Sequence, residues 1–88
     1  MLDESKKLDM SDLDKVVGGK ITGEEAYNTA LKHANKTKKQ AKFKKCEPDH
    51  EHGRKIYEVE FVSGGFEYEY EIDADTGEVL KAEKEFWD

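Results

Sequence analysis

The run Tyr57-Glu-Val-Glu-Phe61-Val-Ser-Gly-Gly-Phe66-Glu-Tyr68-Glu-Tyr70-Glu-Ile72-Asp-Ala-Asp-Thr-Gly77-Glu-Val-Leu80 decides the fold. Apolar side chains fall on every second position, so in an extended chain they share one side and the glutamates between them share the other. Glycines mark two breaks, which divide the run into three strands of an antiparallel meander. One face is aromatic and built for burial; the other is anionic. For Tyr57, Val59 and Phe61 to share a side with Phe66, Tyr68 and Tyr70, the numbers of opposed residues must have an odd sum. A tight Ser63-Gly64 turn satisfies this and pairs Phe61 with Phe66, Val59 with Tyr68 and Tyr57 with Tyr70. It also sets Glu60 against Glu67 and Glu58 against Glu69, which is unfavourable for like charges. Lys42, Lys44 and Lys81 are the cations expected to offset them. In the last hairpin Gly77 stands where a type I turn followed by a bulge needs positive φ, with Ile72 facing Leu80 and Tyr70 facing Ala82. Phe86 and Trp87 are expected to close one end of the core.

Upstream, residues 21–35 read as a helix. Thr22 is the cap and Glu25 completes a capping box, Ile21 is placed to staple onto Ala26, and Asn35 ends the helix. Ala26, Tyr27, Ala30, Leu31 and Ala34 make its apolar stripe, with alanines small enough to admit aromatic rings from a sheet. A first strand is expected over 38–46 with Ala41 and Phe43 inward, then a loop over 46–53 around Pro48 and Gly53. The remaining strands are expected at 55–62, 66–73 and 78–85. The fold class is therefore α+β: one or two N-terminal helices packed on one face of a four-stranded antiparallel meander.

Eighty-eight residues suit one small domain, and nine aromatic residues give it the large side chains such a core needs. Charged residues make up 41% of the chain and the mean hydropathy is -0.98, values that would indicate disorder if the apolar residues were not periodic. The net charge of -6 is unevenly laid out, with -2 over residues 1–19, +6 over 20–46 and -10 over 47–88. The basic block is expected to pair with the acidic hairpin. That hairpin would repel phosphate, so no nucleic-acid partner is expected. The single cysteine, Cys46, rules out an internal disulfide. No apolar run is long enough for a secretory signal or a membrane span, so export, if it occurs, is expected to use another route.

Residues 1–19 stand apart from a domain over 20–88. They read as an amphipathic segment ending in Gly18-Gly19, within which residues 8–19 are expected as a short helix with Met10, Leu13, Val16 and Val17 on one side and Ser11 as its cap. Leu8, Leu13, Val16, Gly18 and Gly19 resemble the pattern of double-glycine leaders of exported bacteriocins. That resemblance implies an exporter's leader-processing peptidase as partner, cleavage after Gly19, a cytoplasmic precursor and a secreted or cell-envelope product.

Other chemistry is sparse. Asp73, Asp75 and Gly77 look like the start of a calcium loop but lack the distal bidentate glutamate, so turn-stabilising aspartates are expected instead. Cys46, His50 and His52 could offer zinc ligands from one loop, although C-x3-H-x-H matches no familiar closed site. His33 is expected on the exposed side of the helix. No nucleophile with an orienting base is visible, so neither catalysis nor a cofactor is expected.

Three pieces of sequence resemble the PepSY family: Thr22-x-x-Glu25-Ala26 at the helix start, Tyr57-x-Val59, and Tyr70-Glu-Ile-Asp73-Ala-Asp-Thr-Gly77-Glu-Val79. The resemblance implies helices on an antiparallel sheet, as in half of β-lactamase inhibitory protein, and a role in binding or regulating a peptidase outside the cell. It brings no catalytic residues. With no protease or anchor within the 88 residues, any target is expected in trans. The protein-binding face is expected to be Glu58, Glu60, Glu67, Glu69 and Glu71, without exposed aromatic anchors.

Overall fold

A computed structural model describes residues 19–87. The elements run α1 (Gly23–Ala34), a 3-10 turn (Lys38–Gln40), β1 (Lys42–Glu51), β2 (Arg54–Ser63), β3 (Phe66–Asp73) and β4 (Val79–Phe86). The strands form one antiparallel sheet in the order β1-β2-β3-β4. α1 packs on β1, β2 and β3. This is the expected α+β meander, with one α-helix among the described residues. The helix expected over residues 8–19 falls almost wholly outside them.

α1 starts and stops as its sequence dictates. The Thr22 hydroxyl accepts from the Glu25 amide at 3.2 Å and the Glu25 carboxylate accepts from the Thr22 amide at 2.8 Å, so two otherwise orphaned donors are satisfied. Asn35 adopts a left-handed conformation at the C-cap, with φ 62°. Between them Ala26, Tyr27, Ala30 and Leu31 are buried against the sheet. Tyr27 fills the space the alanines leave, edge-on to Phe43 at 5.1 Å and to Phe61 at 6.0 Å. Phe61 in turn stacks on Tyr68 at 4.9 Å and Tyr70 at 6.1 Å. The buried core and the apolar side chains packed on it come from residues 21–79.

The pairing of β2 with β3 has the expected parity, but its phase is two residues off. Phe61 pairs with Tyr68, Val59 with Tyr70 and Tyr57 with Ile72, and the turn is Gly64-Gly65, not Ser63-Gly64. The cause is the turn itself: both central residues need positive φ, and the glycines supply 61° and 84°. Ser63 is thereby freed to pair with Phe66 and to donate its hydroxyl to the Gln40 carbonyl at 2.7 Å.

The first strand also differs from expectation. Lys38–Gln40 form a capped 3-10 turn, and the strand continues through the supposed loop to Glu51. Pro48 is tolerated because β1 is an edge strand, where a missing donor can face solvent. The connection shrinks to His52-Gly53, with φ 54° and 77°. A bulge between Phe43 and Lys45 shifts the facing of the lysines. In the last hairpin Tyr70 faces Ala82 as expected, but a second irregularity between Glu71 and Ile72 sets Ile72 against Val79 instead of Leu80.

Candidate protein-binding face

The side of the sheet turned away from α1 carries the other alternate residues of β2 and β3: Glu58 and Glu60 between Ile56 and Val62 on β2, and Glu67, Glu69, Glu71 and Asp73 on β3. Glu58 lies opposite Glu71 and Glu60 opposite Glu69. On the β4 side Glu69 lies opposite Glu83, and Glu67 opposite Glu85. The five expected residues therefore do share one face, with the opposed pairs reassigned by the register. Carboxylate oxygens of Glu60, Glu67 and Glu69 all lie within 4.8 Å of one another, and all three residues are half-buried. A shallow groove of about 110 Å³ runs beside them, lined by Glu58, Glu60, Glu69, Glu71 and Lys81.

Two lysines oppose this charge. Lys45 sits 3.1 Å from Glu58 and 3.5 Å from Glu60, and Lys81 sits 3.8 Å from Glu71 and 3.7 Å from Glu83. Lys81 was anticipated; Lys42 and Lys44 were not the right partners, because the bulge in β1 brings Lys45 to the acidic side. The Lys45 ammonium is held above its ordinary pKa, first by the Glu58 hydrogen bond. Compensation is incomplete at the centre. Partial burial lifts the Glu69 pKa, and Glu60, Glu67, Glu85 and Glu83 raise it further. Glu71 is raised for the same first reason, with Glu51 adding and Lys81 opposing.

Two aromatic side chains that sequence reasoning placed in the core are on the surface. Phe86 is 83% exposed and Trp87 45%. The expectation of a face without aromatic anchors is corrected by Trp87. Lys81, Glu83 and Glu85 of β4 face the acidic side, and the same alternation carries Trp87 there, where the Lys44 ammonium lies 4.4 Å from its ring. Phe86 stacks on Phe66 at 5.0 Å on the other side. The signal that could have found them is the helix length: twelve residues span about 18 Å and cannot cover a fourth strand as well.

The other candidates separate. Cys46 points into the core and donates to the Gly23 carbonyl at 3.4 Å, and burial pushes its thiol up to about 12, which disfavours the thiolate a metal needs. His50 is four strand positions further along, roughly 13 Å at the rise of an extended chain, and His52 is in the turn beyond. The three do not converge on one ion. Asp73 is the turn aspartate it was expected to be. One of its oxygens accepts from the amides of Asp75 at 2.8 Å and Thr76 at 2.9 Å, and these bonds hold its carboxyl below the usual range. His33, exposed as expected, nevertheless meets the Tyr70 hydroxyl at 3.0 Å.

Residues 20–83 match the model of the "Peptidase propeptide and YPEB domain", PepSY. The chain belongs to the PepSY family. It is 35% identical over 66 residues to an uncharacterized protein of Streptococcus pyogenes, Spy1430, covering 75% of this chain and 51% of that protein. Its fold matches the crystal structure of a "putative lipoprotein (CD1622)" of Clostridium difficile 630 with a TM-score of 0.62 and 29% identity, over 90% of this chain and 44% of that one. The chain thus spans about half the length of each. Among the described residues no helix is long and apolar enough to cross a membrane.

Proposed function

We propose that this chain is a non-catalytic PepSY protein of the cell exterior that binds another protein, a peptidase being the first candidate, through the face of Glu58, Glu60, Glu67, Glu69 and Glu71. The observation that carries this reading is the unbalanced centre of that face. Three half-buried glutamates converge while the available lysines sit to either side. Packing alone gives no reason to gather like charges there, and a cationic partner surface would relieve them. Trp87, at the end of the same side, adds an aromatic contact of the kind that often dominates binding.

Membership of a peptidase-propeptide family supports a peptidase as the target, and the lipoprotein neighbour supports an envelope location. In the same reading Leu8, Leu13, Val16, Gly18 and Gly19 form a leader, read by an exporter's peptidase domain and removed after Gly19. Cleavage would release a chain that starts at Lys20.

The test is a panel of extracellular peptidases assayed with and without the protein at low and high salt. Inhibition or protection that weakens steeply with ionic strength, and is lost in a Glu60→Gln/Glu69→Gln variant, supports the reading. Unchanged proteolysis across the panel removes the peptidase as target. Mass spectrometry of native culture medium tests the leader, which requires a species beginning at Lys20.

A further inference from the structure

The three residues that precede α1 are not a loose lead-in. The Lys20 amide donates to a carboxylate oxygen of Asp75 at 3.1 Å, and the Ile21 amide donates to the Ala74 carbonyl at 2.9 Å. The Ile21 carbonyl accepts from the Tyr57 hydroxyl at 2.8 Å. Gly19 lies so close to the turn between β3 and β4 that a Cβ there would stand 2.6 Å from both the Ala74 carbonyl oxygen and an Asp75 carboxylate oxygen. Only glycine fits. The turn is itself rigidly made, since Asp73 accepts the amides of Asp75 and Thr76, and the Ala74 amide donates to the Lys55 carbonyl at 2.9 Å.

A peptidase binds its substrate extended, with the main-chain groups on either side of the scissile bond free to pair with the enzyme. Here the amides of residues 20 and 21 are already committed, and one side of Gly19 is against the turn. We propose that the turn between β3 and β4 is the seat of a processed amino terminus. It closes the Gly19–Lys20 bond to a peptidase once the domain has folded, and Asp75 receives the α-ammonium of Lys20 when the bond has been cut beforehand. This rests on the leader reading given above. In the cleavage, water adds across the Gly19 carbonyl carbon and the Lys20 nitrogen; Gly19 leaves as a carboxylate and Lys20 takes a proton to become an ammonium. The nitrogen that donated to Asp75 as an amide then donates as a cation, which makes the bond charge-assisted and stronger. Folding and cleavage therefore have an order: the leader is removed first, and the new terminus locks into place.

Two measurements test the seat without the exporter's enzyme. Trypsin added to the folded full-length chain reads the next bond, Lys20–Ile21, which shares the same closed main chain. In the native protein that bond should resist, and in Gly19→Ala it should be cut about tenfold faster, since proteolysis follows the population of the open form. Equal cutting in both would overturn the seat. The second measurement uses the chain that starts at Lys20, which retains every described core residue. Its α-amino group should titrate above the ordinary range of about 7.7–8.0. Asp75→Asn, which keeps an acceptor and loses the charge, should return it to that range. An ordinary value in the unsubstituted chain would sink the role of Asp75. If the seat passes both tests and culture medium holds no species beginning at Lys20, the leader reading fails and the docking remains.

Discussion

The two sides of the sheet are written by the same strands and do opposite things. On the helix side Tyr57, Val59, Phe61, Tyr68, Tyr70 and Ile72 are buried, each contributing in the order of 1.5–3 kcal/mol by leaving water. On the outer side Glu58 faces Glu71, Glu60 faces Glu69 and Glu67 faces Glu85 across the ladders, where like charges cost stability. A strand cannot choose its two sides independently in number, but it can in kind. Threonine or lysine at the outer positions would fit the same pleat with less repulsion. The first side is held by the requirement to fold, and the second, which folding does not require, is the side proposed above to meet a cationic partner.

Breaking the first side should have the largest effect. Phe61→Ala removes the ring on which Tyr27, Tyr68 and Tyr70 converge, and a loss of about 3–5 kcal/mol in urea unfolding is expected. A loss under about 1 kcal/mol would mean the core is not organised around it. The same side holds one imperfection. The Tyr27 hydroxyl is buried and has no hydrogen-bond partner among the described residues, and burial raises its pKa. Tyr27→Phe should therefore raise stability, by about 1 kcal/mol, since an unsatisfied buried hydroxyl costs that much or more. A loss on this substitution would show that the hydroxyl has a role in the fold.

On the outer side the effects are smaller. Lys45→Met takes the cation from between Glu58 and Glu60, and a loss of up to about 1 kcal/mol is expected at low salt, shrinking as salt is added. A salt-independent loss would point to packing of the lysine stem instead. The pH profile separates the two signs of carboxyl shift. Glu69 and Glu71 have raised folded pKa values, so acidification from neutral pH should stabilise the fold as they take up protons, until the unfolded chain does so too. Asp73 is lowered, so its contribution is present above its unfolded pKa and is lost as pH falls through the folded value. Thermal midpoints measured from pH 7 downwards should peak at about pH 4–5 and then fall. A profile that declines steadily from pH 7 would show that the outer glutamates are not strained.

How much of this was legible in the sequence follows the same division. Alternation states which residues share a side, so the buried set and the five glutamates could be read directly. The helix caps were equally plain, because Thr22, Glu25 and Asn35 each have a specific bond or dihedral to satisfy. Phase was not legible, since Ser63-Gly64 and Gly64-Gly65 both keep parity and differ only in a second positive φ. Pro48 misled because a proline breaks an interior strand but not an edge. His52 gave no warning of its left-handed conformation, and without that turn the extension of β1 to Glu51 was hidden. The bulge at Lys45 belongs to the same class: a local slip in backbone pairing, with no residue type that demands it, decided which lysine meets the glutamates.

The glutamates of the outer side are kept at a cost to stability. Urea unfolding of the Glu60→Gln/Glu69→Gln variant at pH 7 and low salt tests that cost most directly. The midpoint should lie above that of the unsubstituted protein, with the gain disappearing in high salt. A midpoint that is equal or lower would contradict that cost.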